Sequence, residues 1–184
     1  MSPAVRRFAL AVHLTVSVGW IGAVAAYLAL DVTATTGHDP QRLRAAYLGM
    51  EAVAGNVIVP LAVASLVSGV VMSLGTKWGL FRHYWVLISF VLTTVATAVL
   101  LVEMRAIRGL AALAAAPATT PDELRALGGT LPHSIGGIVV LLVVLVLNLY
   151  KPRGLTSYGW RRQESGAIAR EGSVVALPGA PDGE

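Results

Sequence analysis

The chain has no cysteine, which removes disulfides, thiolate metal sites and cysteine nucleophiles, and leaves histidine, methionine, carboxylate or tyrosine as the only ligands for a metal or haem. Charge is scarce as well: 13% of the 184 residues are charged and 55% are hydrophobic, a balance that no ordinary soluble domain shows. No Gly-rich phosphate loop, nucleophile elbow or His-Glu-x-x-His motif occurs, and no closely spaced carboxylate pair falls within an apolar run. The formal charge of +4 does not point to nucleic acid, because the fourteen Lys and Arg lie at the ends of apolar runs rather than on one face.

What is present is a set of long apolar stretches. Phe8 to Leu30 contains no charged side chain over 23 positions, enough at about 1.5 Å per residue to cross a hydrocarbon core of roughly 30 Å. Further stretches run over 57–74, 84–102 and 135–150, the last of them short. Gly75, Lys77 and Gly79 punctuate a tight hairpin between the second and third, and Lys151-Pro152-Arg153-Gly154 ends the fourth. The expected architecture is all-α: a four-transmembrane-helix bundle over residues 1–163, followed by a disordered cytoplasmic tail over 164–184. With the N-terminus inside, nine Lys and Arg fall on the cytoplasmic side and five outside, which favours cytoplasmic termini in a bacterial plasma membrane.

Helical extensions are expected on the outer face. Asp39-Pro40 reads as an N-cap with proline at the first helical position, and Thr120-Pro121-Asp122-Glu123 as a capping box. Alanine- and leucine-rich sequence from Glu103 to Ala116 continues span three outward. Gly128, Gly129 and Pro132 are expected to break the chain before span four, and Pro60 to kink span two. Gly19 with Ala23, Gly22 with Ala26, and Ser65, Gly69 and Ser73 form small-residue faces suited to close helix contact.

Few residues suggest chemistry. His13, Ser17, Trp20, Val24, Tyr27 and Asp31 recur at spacings of four and three, which keeps them within about 40° of one line along span one. That face should point into the bundle, where His13 either bonds a neighbouring helix or serves as a ligand or proton carrier. Depth counts make His83, at the inner end of span three, the only histidine able to join His13 on a haem iron. His133 opens span four at the other surface, either as a plain helix-start residue or as a contact for a surface metal or a quinone headgroup.

The run His13-Leu-Thr-Val-Ser-Val-Gly19-Trp20-Ile-Gly22, Trp85 after His83, and Tyr150-Lys-Pro-Arg-Gly-Leu-Thr-Ser-Tyr158-Gly-Trp160-Arg-Arg-Gln163 resemble a group of small, uncharacterised four-helix membrane proteins of actinobacteria. The resemblance covers roughly residues 6–163 and implies a multi-pass plasma-membrane protein without supplying a reaction. Within span one, histidine seven residues before Trp20-Ile21-Gly22 is also similar to the first helix of the copper-resistance D family and of membrane haem-biosynthetic oxidases. That likeness implies a metal- or haem-serving role for His13 alone, since the other histidine-bearing helices and methionine-rich loops of those families are missing.

The expected function is an accessory or partner-binding membrane protein. Lys151, Arg153, Arg161 and Arg162 would contact anionic lipid or a docking partner at the cytoplasmic face. The implied partners are the bilayer and a second membrane protein or further copies of the chain. The alternative is a haem- or copper-binding redox or delivery protein centred on His13, with His83 as second ligand and Trp20 and Tyr27 lining the site.

Overall fold

A computed structural model describes residues 1–75, 79–152, 154–157 and 160–161. The described chain is all-α, and four of its helical stretches are long and apolar enough to cross a membrane. It is a multi-pass membrane protein.

Helix α1 spans Pro3–Thr36. Ser2 caps it, its Oγ accepting from Val5 N at 3.4 Å, and Pro3 occupies the first turn. At about 1.5 Å per residue its 34 residues exceed the hydrocarbon thickness, so the helix projects beyond the bilayer. In the projecting part Thr33, Thr35 and Thr36 satisfy their hydroxyls within the helix by donating to the carbonyls of Ala29, Asp31 and Val32 at 2.8–2.9 Å.

Helix α2, Pro40–Val53, starts at the expected Asp39 cap, whose side chain accepts from Gln41 N. Leu43, Ala46, Tyr47 and Met50 form its buried stripe, at the spacing of one helical face. The helix runs through a π segment, Ala54–Ile58, into α3, Val59–Gly75. The π segment closes with Val59 N–H donating to Ala54 O, one residue before Pro60. Proline lacks an N–H and crowds the carbonyl four residues back, and the wider turn accommodates it.

Helix α4, Tyr84–Ala115, carries span three outward. Helix α5, Pro121–Ala126, has the full capping box, with Thr120 Oγ1 accepting from Glu123 N and Glu123 accepting from Thr120 N. Helix α6, Leu131–Tyr150, begins earlier than expected. Pro132 sits inside its first turn, where a missing N–H costs nothing, so Gly128 with φ +71° makes the turn instead. At the other end Lys151 caps α6 in the left-handed region, with φ 45°.

The largest fully buried side chains, Tyr47, Leu43, Met50, Leu124 and Asp31, gather where α2 and α5 cover the projecting ends of α1 and α4. Among the described residues this crown holds the largest fully buried side chains. The membrane part instead presents apolar side chains outward, Val102 at 70% and Leu149 at 74% exposure among them, as a lipid solvent permits. Arg44 locks the crown by donating to the carbonyls of Ala114, Ala116 (3.0 Å) and Thr119 (2.7 Å) at the end of α4.

The seam between α1 and α3 follows the small residues. Ser17 and Ser65 meet at 2.8 Å, and a Cβ on Gly19 would lie 3.6 Å from Leu61. Gly22 and Ala26 face outward instead, with nothing within 4 Å of where a Gly22 Cβ would stand. At the opposite end from the crown, the base, the approach to α4 pairs with the segment after α6: Thr156 N donates to Arg82 O at 3.1 Å and Thr156 Oγ1 to Phe81 O at 2.5 Å. Lys151 and Arg161 are exposed there. Lys77, Arg153, Arg162 and the tail expected to be disordered lie outside the described residues.

Candidate functional site

Trp20, Val24, Tyr27 and Asp31 occupy one buried face of α1, the face their spacing predicts. Asp31, at its crown end, has 0% of its surface exposed. A buried carboxylate needs donors, and the start of α6 supplies three. The Thr130 backbone N–H donates to Oδ1 at 2.8 Å, while Thr130 Oγ1 and Ser134 Oγ donate to Oδ2 at 3.0 and 2.7 Å. Tyr27 joins with its hydroxyl 2.8 Å from Thr130 Oγ1. The single Thr130 hydroxyl proton is directed at Asp31, so Tyr27 is the donor in this pair.

The chain must pass Asp31 closely to do this. A Cβ on Gly129 would collide with Thr35 Oγ1 and stand 2.6 Å from Asp31 Oδ1, so only glycine fits there. The preceding Gly128 has its carbonyl held by Tyr47 Oη at 2.7 Å, which ties the turn to α2.

In front of this network lies a cleft of about 260 Å³ between α1, α4 and α6, closed at the back by Ile58. Its α4 wall runs from Leu92 to Ile107, about 22 Å at 1.5 Å per residue. The ends differ in chemistry. Toward the crown stand Tyr27, Thr130, Ser134, Glu103 and His133; toward the bilayer centre the walls are Leu92, Val95, Val140 and Leu141. Gly136 and Gly137 of α6 leave the side of the cleft open. Glu103 Oε1 is 3.4 Å from His133 Nε2, the glutamate side chain 24% exposed and the histidine 53%.

Trp20 lines the same cleft and is 3% exposed. Among the described residues its Nε1 is the buried side-chain polar atom without a hydrogen-bond partner. Leaving such an N–H unpaired costs about 1–3 kcal/mol.

The other expected site residues lie elsewhere. His13 faces α3 with Nδ1 2.9 Å from Ser68 Oγ, and Gly69 makes room for it: a Cβ there would stand 3.3 Å from His13 Cε1. His83 precedes α4 at the base, in an isolated antiparallel bridge with Leu155, its ring centroid 6.4 Å from that of Trp85. Neither histidine lines the cleft, whereas Trp20 and Tyr27 do so beside His133. Among the described residues no three His, Asp or Glu gather into a group able to hold a metal.

Sequence reasoning missed the roles of Thr130, Ser134 and Glu103. Asp31 did carry a signal, since it ends the polar face of span one. Thr130 and Ser134 carried none, because nothing in the residues between α5 and α6 reveals which helix they approach. No family model matches the chain, and no curated protein or solved structure is significantly similar to it.

Proposed function

We propose that this protein is an accessory component of a bacterial plasma membrane, with both termini cytoplasmic, that holds a lipid-soluble amphiphile in the cleft between α1, α4 and α6. The observation that carries this reading is the cleft's polarity along its length: hydrophobic walls within the bilayer, and a carboxylate, an imidazole and hydroxyls at one end. Concave, mostly apolar sites with a few convergent polar groups are the usual form of small-molecule sites. The open side between glycines gives entry from the lipid.

The test is native mass spectrometry of the protein released from lipid nanodiscs, beside Gly136→Leu. Gly136 lines the cleft and nothing stands within 4 Å of a Cβ there, so a side chain can be introduced at this point of the wall. A retained amphiphile that disappears in the variant supports the reading, and equal retention in both proteins sinks it.

His13 favours a second reading, in which it serves haem or copper. The Ser68 hydroxyl holds Nδ1, and Nε2 is the nitrogen left for a ligand role. An optical spectrum and metal analysis of the purified protein against His13→Ala decide this. A stoichiometric Soret band or copper signal lost in the variant supports it, and a colourless, metal-free protein after growth with ample haem and copper removes it.

The partner-binding role would fall to Lys151, Arg153, Arg161 and Arg162, each contributing about 1 kcal/mol to contact with anionic lipid. Replacing Arg161 and Arg162 by Gln leaves insertion intact. Loss of a copurifying partner then supports docking, and an unchanged complement restricts these residues to lipid contact.

A further inference from the structure

The hydrogen-bond directions around Asp31 determine what the crown end of the cleft offers an occupant. Thr130 and Ser134 spend their hydroxyl protons on the Asp31 carboxylate, and Tyr27 spends its proton on Thr130. The Tyr27 and Ser134 oxygens are therefore left with lone pairs, and Glu103 adds a carboxylate that accepts only. Among the described residues at this end, His133 is the side chain with an N–H to give, and its Nε2 already stands 3.4 Å from Glu103.

Charge points the same way. Asp31 is buried behind the wall with hydrogen bonds but no cation, and Glu103 is three-quarters covered. Among the described residues no lysine or arginine lines the cleft. An anionic head, carboxylate or phosphate, would face acceptors and negative charge in a medium that screens them little.

We propose that the occupant is an amphiphile with a positively charged, donor-rich head, an alkylammonium. This rests on the cleft-binding reading and deepens it by naming the ligand class. The ammonium sits at the Glu103 carboxylate and gives its remaining hydrogen bonds to Tyr27 Oη and Ser134 Oγ. The chain descends past Trp20, about two helical turns below Tyr27, toward Leu92 and Leu141.

The test uses the full chain in uncharged phosphatidylcholine nanodiscs, buffered above the ordinary imidazole titration range. Dodecylammonium, dodecanol and dodecanoate, which share a chain and differ in head, are titrated while the ¹⁵N-indole signal of Trp20, assigned with Trp20→Phe, is followed by NMR. The expected result is dodecylammonium binding at least about tenfold more tightly than dodecanol, with dodecanoate weakest. Glu103→Gln, which keeps the side-chain shape, should bring dodecylammonium to the level of dodecanol and leave dodecanol unchanged, a result that also shows the variant is folded. Dodecanol or dodecanoate binding as tightly as dodecylammonium overturns the head assignment while leaving the cleft reading standing. No movement of the Trp20 signal with any of the three overturns the cleft reading itself.

Discussion

Ser134 on α6 donates a 2.7 Å hydrogen bond to the carboxylate of Asp31 on α1, across 103 residues of sequence. With the two bonds from Thr130, it makes a fully buried acid the point at which the first and last membrane helices meet. Asp31→Ala strands three donors at once, and the expected loss is about 3 kcal/mol or more. Asp31→Asn should fall between alanine and the native protein, because one amide oxygen cannot serve three donors and the amide N–H groups force the hydroxyls to turn. Thermal unfolding in detergent checks the order Asp, Asn, Ala. Equal melting of all three would remove the network from the stability of the fold.

Gly129 and Gly109 should respond in opposite directions to alanine. At Gly129 the added methyl meets Thr35 and Asp31, and the turn must open to admit it. At Gly109, within α4, nothing lies within 4 Å of the new Cβ. There alanine should stabilise by about 1 kcal/mol through helix propensity. Paired thermal melts measure both, and a stabilised Gly129→Ala protein would contradict the close passage of the chain over Asp31.

The helices, their caps and their extensions were legible because each depends on residues near in sequence. Apolar run length fixes a span, Asp39-Pro40 and Thr120 with Glu123 fix helix starts, and the four-three spacing fixes which face of α1 is buried. The cleft was not legible, because it exists only where α1, α4 and α6 come together. Glu103 read from the sequence as an outer-loop acid, and His133 as a helix-start residue beside the headgroups. Pro132 misled for a local reason: proline breaks a helix interior but suits a first turn, and the sequence does not say which position it holds.

Arg44 carries a prediction about the crown. One guanidinium serves the carbonyls of Ala114, in the last turn of α4, and of Ala116 and Thr119, in the segment that follows it. Arg44→Lys keeps the charge but places it at a single point, without the planar fork that reaches several acceptors. The expected cost is about 1.5–3 kcal/mol, felt locally as faster amide hydrogen exchange over the last turn of α4. Exchange unchanged in Arg44→Lys would mean that water satisfies these carbonyls equally well.

The α1–α3 seam should depend on packing more than on its hydrogen bond. Ser17 and Ser65 meet at 2.8 Å, but interhelical hydrogen bonds within a bilayer contribute on average only about 0.6 kcal/mol, because the separated helices find other partners. A double-mutant cycle with Ser17→Ala and Ser65→Ala should therefore return a coupling of about that size. Gly69→Val acts on the close approach itself, since its Cβ alone would stand 3.3 Å from His13 Cε1 and the further methyls have still less room. Its expected cost is about 1–3 kcal/mol. Unfolding in a denaturing detergent titration compares the two, and a coupling larger than the cost of Gly69→Val would make hydrogen bonding, not the glycine, the basis of the seam.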